Sequence, residues 1–138
     1  MYKVLFYEPN EEIRVLYTCK FETRYNLTCI AETERVEACV RSLGAGPVVL
    51  VSDVNLKQHV VNFLASLHYD SNGTFYAGNV RFRVVLTTAN VEQKTLDKLP
   101  RHLTEKMIEK PLILDLLGLR IDHEISQWHK ELRLAQVA

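Results

Sequence analysis

Val48-Val49-Leu50-Val51-Ser52-Asp53-Val54-Asn55-Leu56 is the stretch on which the reading of this chain turns. Four apolar residues in a row are followed by a serine and a carboxylate. A short run that is apolar at every position predicts a strand buried on both faces, at the centre of a parallel sheet. Gly44-Ala45-Gly46-Pro47 punctuates its start. Asp53 falls where the strand should end, and in open α/β sheets ligands and chemistry gather at the carboxyl ends of strands. Glu8, Thr87 and Lys110 likewise stand at the ends of apolar runs.

Outward from this strand, the chain alternates. Lys3-Val4-Leu5-Phe6-Tyr7 predicts a first strand, and Asn10 caps a helix carrying Ile13, Leu16, Tyr17 and Phe21. Leu27-Thr28-Cys29-Ile30 predicts a second strand, and Thr33 opens a helix with Val36, Val40 and Leu43 on one face, stopped by Gly44. Leu56, Val60, Phe63, Leu64 and Leu67 follow at helical spacing. Between Tyr69 and Asn79 the rhythm breaks, and Asn72-Gly73 beside Thr74-Phe75-Tyr76 predicts a small hairpin or ordered loop. Phe82 to Leu86 predicts a fourth strand, ending in Thr87-Thr88. Asn90 caps a short helix that ends near Pro100. A brief fifth strand at about 106–109 leads into Lys110-Pro111 and a long C-terminal helix. Strand and helix thus alternate five times. The prediction is a flavodoxin-like α/β sandwich: a parallel five-stranded sheet of order 2-1-3-4-5, a hairpin inserted before strand 4, and an extended last helix.

Composition narrows the function classes. With 17 basic and 17 acidic residues among 138, no global field draws the chain to nucleic acid or acidic membrane. No apolar run has the length of a membrane span, and no signal-peptide layout is evident, which predicts a cytoplasmic location. Cys19, Cys29 and Cys39 form no CxxC pair and read as reduced thiols packed as small hydrophobes. His68, His102, His123 and His129 lack metal spacing and read as surface residues.

The motifs Val4-Leu5-Phe6-Tyr7-Glu8-Pro9-Asn10, Leu50-Val51-Ser52-Asp53-Val54-Asn55-Leu56, Val84-Val85-Leu86-Thr87-Thr88-Ala89 and Glu109-Lys110-Pro111 together resemble the receiver domain of two-component response regulators. The resemblance covers roughly residues 3–122, with 123–138 as an extension of the last helix, and implies one receiver-like domain. It implies that Asp53 accepts a phosphoryl group from a histidine kinase or phosphotransfer protein. Lys110 is then the fixed cation, Thr87 the hydroxyl that senses the phosphoryl oxygen, and Glu8, Asp53 and the Asn55 backbone carbonyl the ligands of Mg²⁺. The Lys110–Pro111 bond is expected to be cis, as is usual in the family. Output is expected through a protein partner or a homodimer, using the helix 4–strand 5–helix 5 face or the C-terminal helix. The chain departs from the family twice. Pro9 stands where a second acid binds the metal, and Met107 stands where an aromatic switch residue is common. These departures motivate an alternative, a pseudo-receiver that acts as a phosphorylation-independent interaction module. A flavin carrier on this fold would need a Ser/Thr/Gly-rich loop after strand 1, where this chain has Glu8-Pro9-Asn10-Glu11-Glu12.

Several residues carry two readings. Asp53 is either the nucleophile or a helix cap, and Thr88 beside Thr87 leaves the register open. Tyr69, Phe75 and Tyr76 either cover the end of a core helix or form a partner patch. The seam Leu117, Ile121, Ile125, Trp128 and Leu132 either docks a partner or folds back on its own domain.

Overall fold

The apolar stretch at 48–51 does form the middle of the sheet. In the computed structural model, which describes residues 2–44, 46–54, 59–89 and 92–137, β3 (Pro47–Asp53) lies between β1 (Lys3–Tyr7) and β6 (Val80–Thr88), parallel to both. β2 (Asn26–Ile30) adds outside β1, also parallel. The outer edge of β6 is shared. Its carboxyl end pairs in parallel with β7 (Ile108–Glu109), and its amino end pairs antiparallel with β5 (Phe75–Ala77), which pairs with β4 (His68–Tyr69).

The fold is therefore mixed α/β, and the expectation of a wholly parallel, five-stranded sheet is corrected. Among the described residues the sheet has seven strands, and β4 and β5 run antiparallel. The cause is local turn chemistry. Gly73 (φ +87°) and Gly78 (φ +63°) take the left-handed conformations of tight turns. The chain therefore reverses twice before β6. Asp70 fixes the first reversal by accepting the backbone N–H groups of Asn72 (2.9 Å) and Thr74 (3.0 Å). The Tyr76 hydroxyl donates to the same carboxylate at 2.9 Å. Phe75 is buried against Phe82, while Tyr69 is exposed.

Helices cover both faces. Alternation along the strands sends Leu5, Tyr7, Val48, Leu50, Phe82, Val84 and Leu86 to one side, under α2 (Val36–Arg41) and α3 (His59–Ala65). Val4, Phe6, Val49, Val51 and Val85 point to the other, under α1 (Glu11–Phe21) and α6 (Leu114–Val137). Asn10 caps α1, its Oδ1 accepting the Ile13 N–H at 3.2 Å. Leu16, expected on the buried face of α1, is exposed. The short helix expected to end near Pro100 is a single turn, α4 (Gln93–Leu96), and a second single turn not expected, α5 (Arg101–Thr104), starts just after Pro100, its N-cap. His102, expected at the surface, is half-buried against Tyr69 and Phe75. Cys19 is exposed and Cys29 and Cys39 are half-buried, all as free thiols. No described helix is long and apolar enough to cross a membrane. Leu56 and the Asn90 cap, like the Leu132 side chain, lie outside the described residues.

The seam of α6 lies on the chain's own sheet: Leu117, Ile121, Ile125 and Trp128 are buried. Arg81 stacks over the Trp128 indole, and Tyr2 meets His129. Apolar side chains exposed on or beside α6 are instead Ile113, Leu116, Leu119 and Leu134. Gly118 lets α1 come close, since a Cβ there would lie 3.2 Å from the Phe21 ring.

Candidate functional site

Strand register builds the site. Asp53 is opposite Thr87 across β3 and β6, and Thr87 is opposite Ile108 in β7. Phe6, Val51 and Val85 form a row across β1, β3 and β6 on the α1 face. Two residues further along each strand direction come Glu8, Asp53 and Thr87, so the period of two stacks a polar row directly beyond the apolar one. The Lys110 N–H donates to the Thr88 carbonyl at 2.7 Å, which anchors the residue after β7 to the same edge. The Lys110–Pro111 peptide is cis.

Side chains far apart in sequence meet there. The Lys110 ammonium is 2.8 Å from Asp53 Oδ1 and also ion-pairs with Glu8 Oε1. Glu8 is only 1 % exposed, and its second oxygen accepts the Asn10 N–H at 3.1 Å. Asp53 and Thr87 are buried as well. Thr88, the rival for the hydroxyl position, donates to the Val54 carbonyl at 3.4 Å, whereas the buried Thr87 hydroxyl makes no hydrogen bond of good geometry. The arrangement is two carboxylates about one ammonium, carrying a net charge near −1, with a hydroxyl on its rim.

Burial by itself would lower the Lys110 pKa, but hydrogen bonding and attraction from Asp53 and Glu8 outweigh it and raise it. Burial also raises the Tyr17 phenol strongly, with Glu8 and Asp53 adding to it, and raises Tyr25, aided by Asp122. All three groups have folded pKa values above their unfolded ones. Their contributions to stability are complete below about pH 10 and are lost as pH rises beyond it. Urea unfolding should give nearly the same midpoint at pH 8 and 9.5 and a lower one at pH 11, with the last phenolate absorbance at 295 nm gained only on unfolding.

Two hard oxygen donors, Glu8 and Asp53, fit a small dication as two of six ligands, because Mg²⁺ keeps several waters and commonly uses one or two carboxylates plus phosphate oxygens. No group of three or more His, Cys, Asp or Glu that could hold a metal occurs among the described residues. Asn55, the third expected ligand, lies outside them. Pro9 is exposed and offers no side-chain donor. Met107 is half-buried and packs on the α2–α3 side of the core.

Two features escaped the sequence reading. The first is Tyr17, treated there only as a core residue, whose hydroxyl is buried with no hydrogen bond of good geometry. The second is a buried ionic cluster under α6. Arg83 Nε donates to Glu124 Oε2 at 2.7 Å, Arg120 Nη2 reaches Glu124 Oε1 at 2.8 Å, and Arg83 Nη1 donates to the Thr74 hydroxyl at 3.2 Å. Thr74 in turn donates to Glu131 at 2.7 Å. A lone arginine inside the apolar run Phe82–Leu86 was the available signal.

No family model, no curated protein and no solved structure matches this chain.

Proposed function

We propose that this chain is a cytoplasmic receiver-type switch, in which Asp53 accepts a phosphoryl group and a protein partner reads the outcome. The observation that carries the reading is the Lys110 ammonium 2.8 Å from Asp53, with Glu8 on the same ammonium and Thr87 opposite Asp53 in register. The parallel strands β2-β1-β3-β6-β7 are then the flavodoxin-like order 2-1-3-4-5, with β4 and β5 as an insertion.

In the proposed reaction an Asp53 carboxylate oxygen attacks the phosphorus of a phosphohistidine on a kinase or phosphotransfer protein. The new O–P bond forms as the P–N bond breaks, and the electron pair leaves with the imidazole nitrogen. Lys110 stays protonated and holds the attacking carboxylate and the transferred oxygens. Thr87 donates its hydroxyl to one of those oxygens. Mg²⁺, held by Glu8, Asp53 and the Asn55 carbonyl, would neutralise charge on the transferring group. The output face is that of α4, β7 and α6, where a protein partner or second copy would distinguish two packings.

Incubation with acetyl phosphate and Mg²⁺ should add one phosphoryl mass to the chain, on Asp53, and Asp53→Asn should abolish it. No incorporation into the parent chain would sink the proposal. Pro9 and Met107 favour a second reading, a pseudo-receiver whose Lys110 keeps its ion pairs with Asp53 and Glu8 and whose Asp53 is not phosphorylated. That version predicts no response to millimolar Mg²⁺ and partner binding unchanged by Asp53→Asn.

A further inference from the structure

The Tyr17 hydroxyl has no packing role. Its ring lies 4.6 Å from that of Phe6 and 6.5 Å from that of Phe21, contacts a phenylalanine would make equally well. The oxygen is buried with no hydrogen bond of good geometry, which costs free energy that the ring contacts do not require. Its position explains what it is for. Tyr17 packs from α1 onto the Phe6–Val51–Val85 row, and the next row on that face is Glu8, Asp53 and Thr87. There the Thr87 hydroxyl is the other buried hydroxyl without a good partner. Tyr17 is within hydrogen-bonding reach of Thr87 and feels the charges of Glu8 and Asp53. Two hydroxyls held against each other share one O–H···O contact, which leaves one O–H to donate to an oxygen arriving on the carboxylate.

We propose that Tyr17 and Thr87 form a hydroxyl pair that reads the phosphoryl group, an inference that rests on the receiver reading above. With an anionic oxygen on Asp53, the Thr87 O–H turns to donate to it, and Thr87 Oγ1 then accepts the Tyr17 O–H. Each hydroxyl donates once, and neither is left unpaired. The signal then enters α1 through Tyr17, and α6 through Phe21, against which Gly118 is packed. It does not depend on an aromatic residue at position 107. Tyr17 is a positioning residue, since it acts through Thr87.

The test uses the full chain with ¹³Cζ-labelled tyrosine, the Tyr17 signal being assigned by Tyr17→Phe. Beryllofluoride with Mg²⁺ serves as the phosphoryl mimic, and ¹⁹F signals report its binding. The expected result is a bound ¹⁹F signal together with a shift of the Tyr17 resonance. Tyr17→Phe should fold at least as stably as the parent, yet hold beryllofluoride roughly 3- to 10-fold more weakly, the weight of one hydrogen bond. Bound beryllofluoride with an unmoved Tyr17 resonance, or with unchanged affinity in Tyr17→Phe, overturns the hydroxyl pair alone. No bound beryllofluoride in the parent chain overturns the receiver reading and the pair with it.

Discussion

Glu124→Ala should cost about 3–5 kcal/mol of stability, because it leaves the buried Arg83 and the half-buried Arg120 without their carboxylate. Arg83 and Arg120 both rest on the Glu124 carboxylate, at 2.7 and 2.8 Å, and the Glu124 side chain is only 5 % exposed. Glu131 meets Arg83 at a looser 3.6 Å and cannot replace it. The melting temperature should fall by about 10 °C or more, given a few degrees per kcal/mol in a chain of this length. The hairpin should loosen first, since Arg83 also holds Thr74. Hydrogen exchange at the amides of 74–77 would then accelerate before that of β3. The triple change Arg83→Met, Arg120→Met and Glu124→Leu should be far milder, because removing all three charges removes the desolvation cost along with the attraction. A thermal melt of Glu124→Ala within 2 °C of the parent (roughly half a kcal/mol) would contradict this account of the cluster.

Lys110→Ala should slow phosphoryl acceptance by Asp53 about 10²- to 10³-fold, the typical loss when one fixed donor to developing charge is removed. The same change leaves Glu8 and Asp53 as two buried carboxylates with no ammonium between them. Two like charges so close favour a proton on one of them, which lifts that carboxyl above its unfolded value near 4. A raised folded pKa contributes stability below the unfolded value and loses it as pH rises through the folded one. Lys110→Ala should therefore be less stable at pH 8 than at pH 5. Acyl-phosphate formation within threefold of the parent, or a stability that rises over that interval, would remove Lys110 from the site.

Much of the candidate site was legible before any coordinates. A carboxylate after an apolar run, a hydroxyl after another and a lysine before a proline each mark a strand end, and strand ends share an edge in a parallel sheet. That argument needs only local pattern, and the 2.8 Å contact between Lys110 and Asp53 agrees with it. The hairpin was announced by Asn72-Gly73, but its effect on the sheet was not. Whether β5 joins β6 or folds away depends on which edge is vacant, and no local motif states that. The choice between Thr87 and Thr88 was likewise undecidable from adjacent identical residues, until register set one opposite Asp53.

What the sequence determined by itself was the α/β rhythm and the run of strand-end residues, because periodicity and turn chemistry act over a few neighbours. Tertiary structure alone decided the rest: that α6 lies back on its own sheet, that Arg83 finds Glu124 41 residues away, and that Tyr17 brings a buried hydroxyl to the Asp53 row. Those outcomes depend on which surfaces remain uncovered once the strands have paired. Burial then forces each polar group to find a partner or go without, and no stretch of chain carries that information alone.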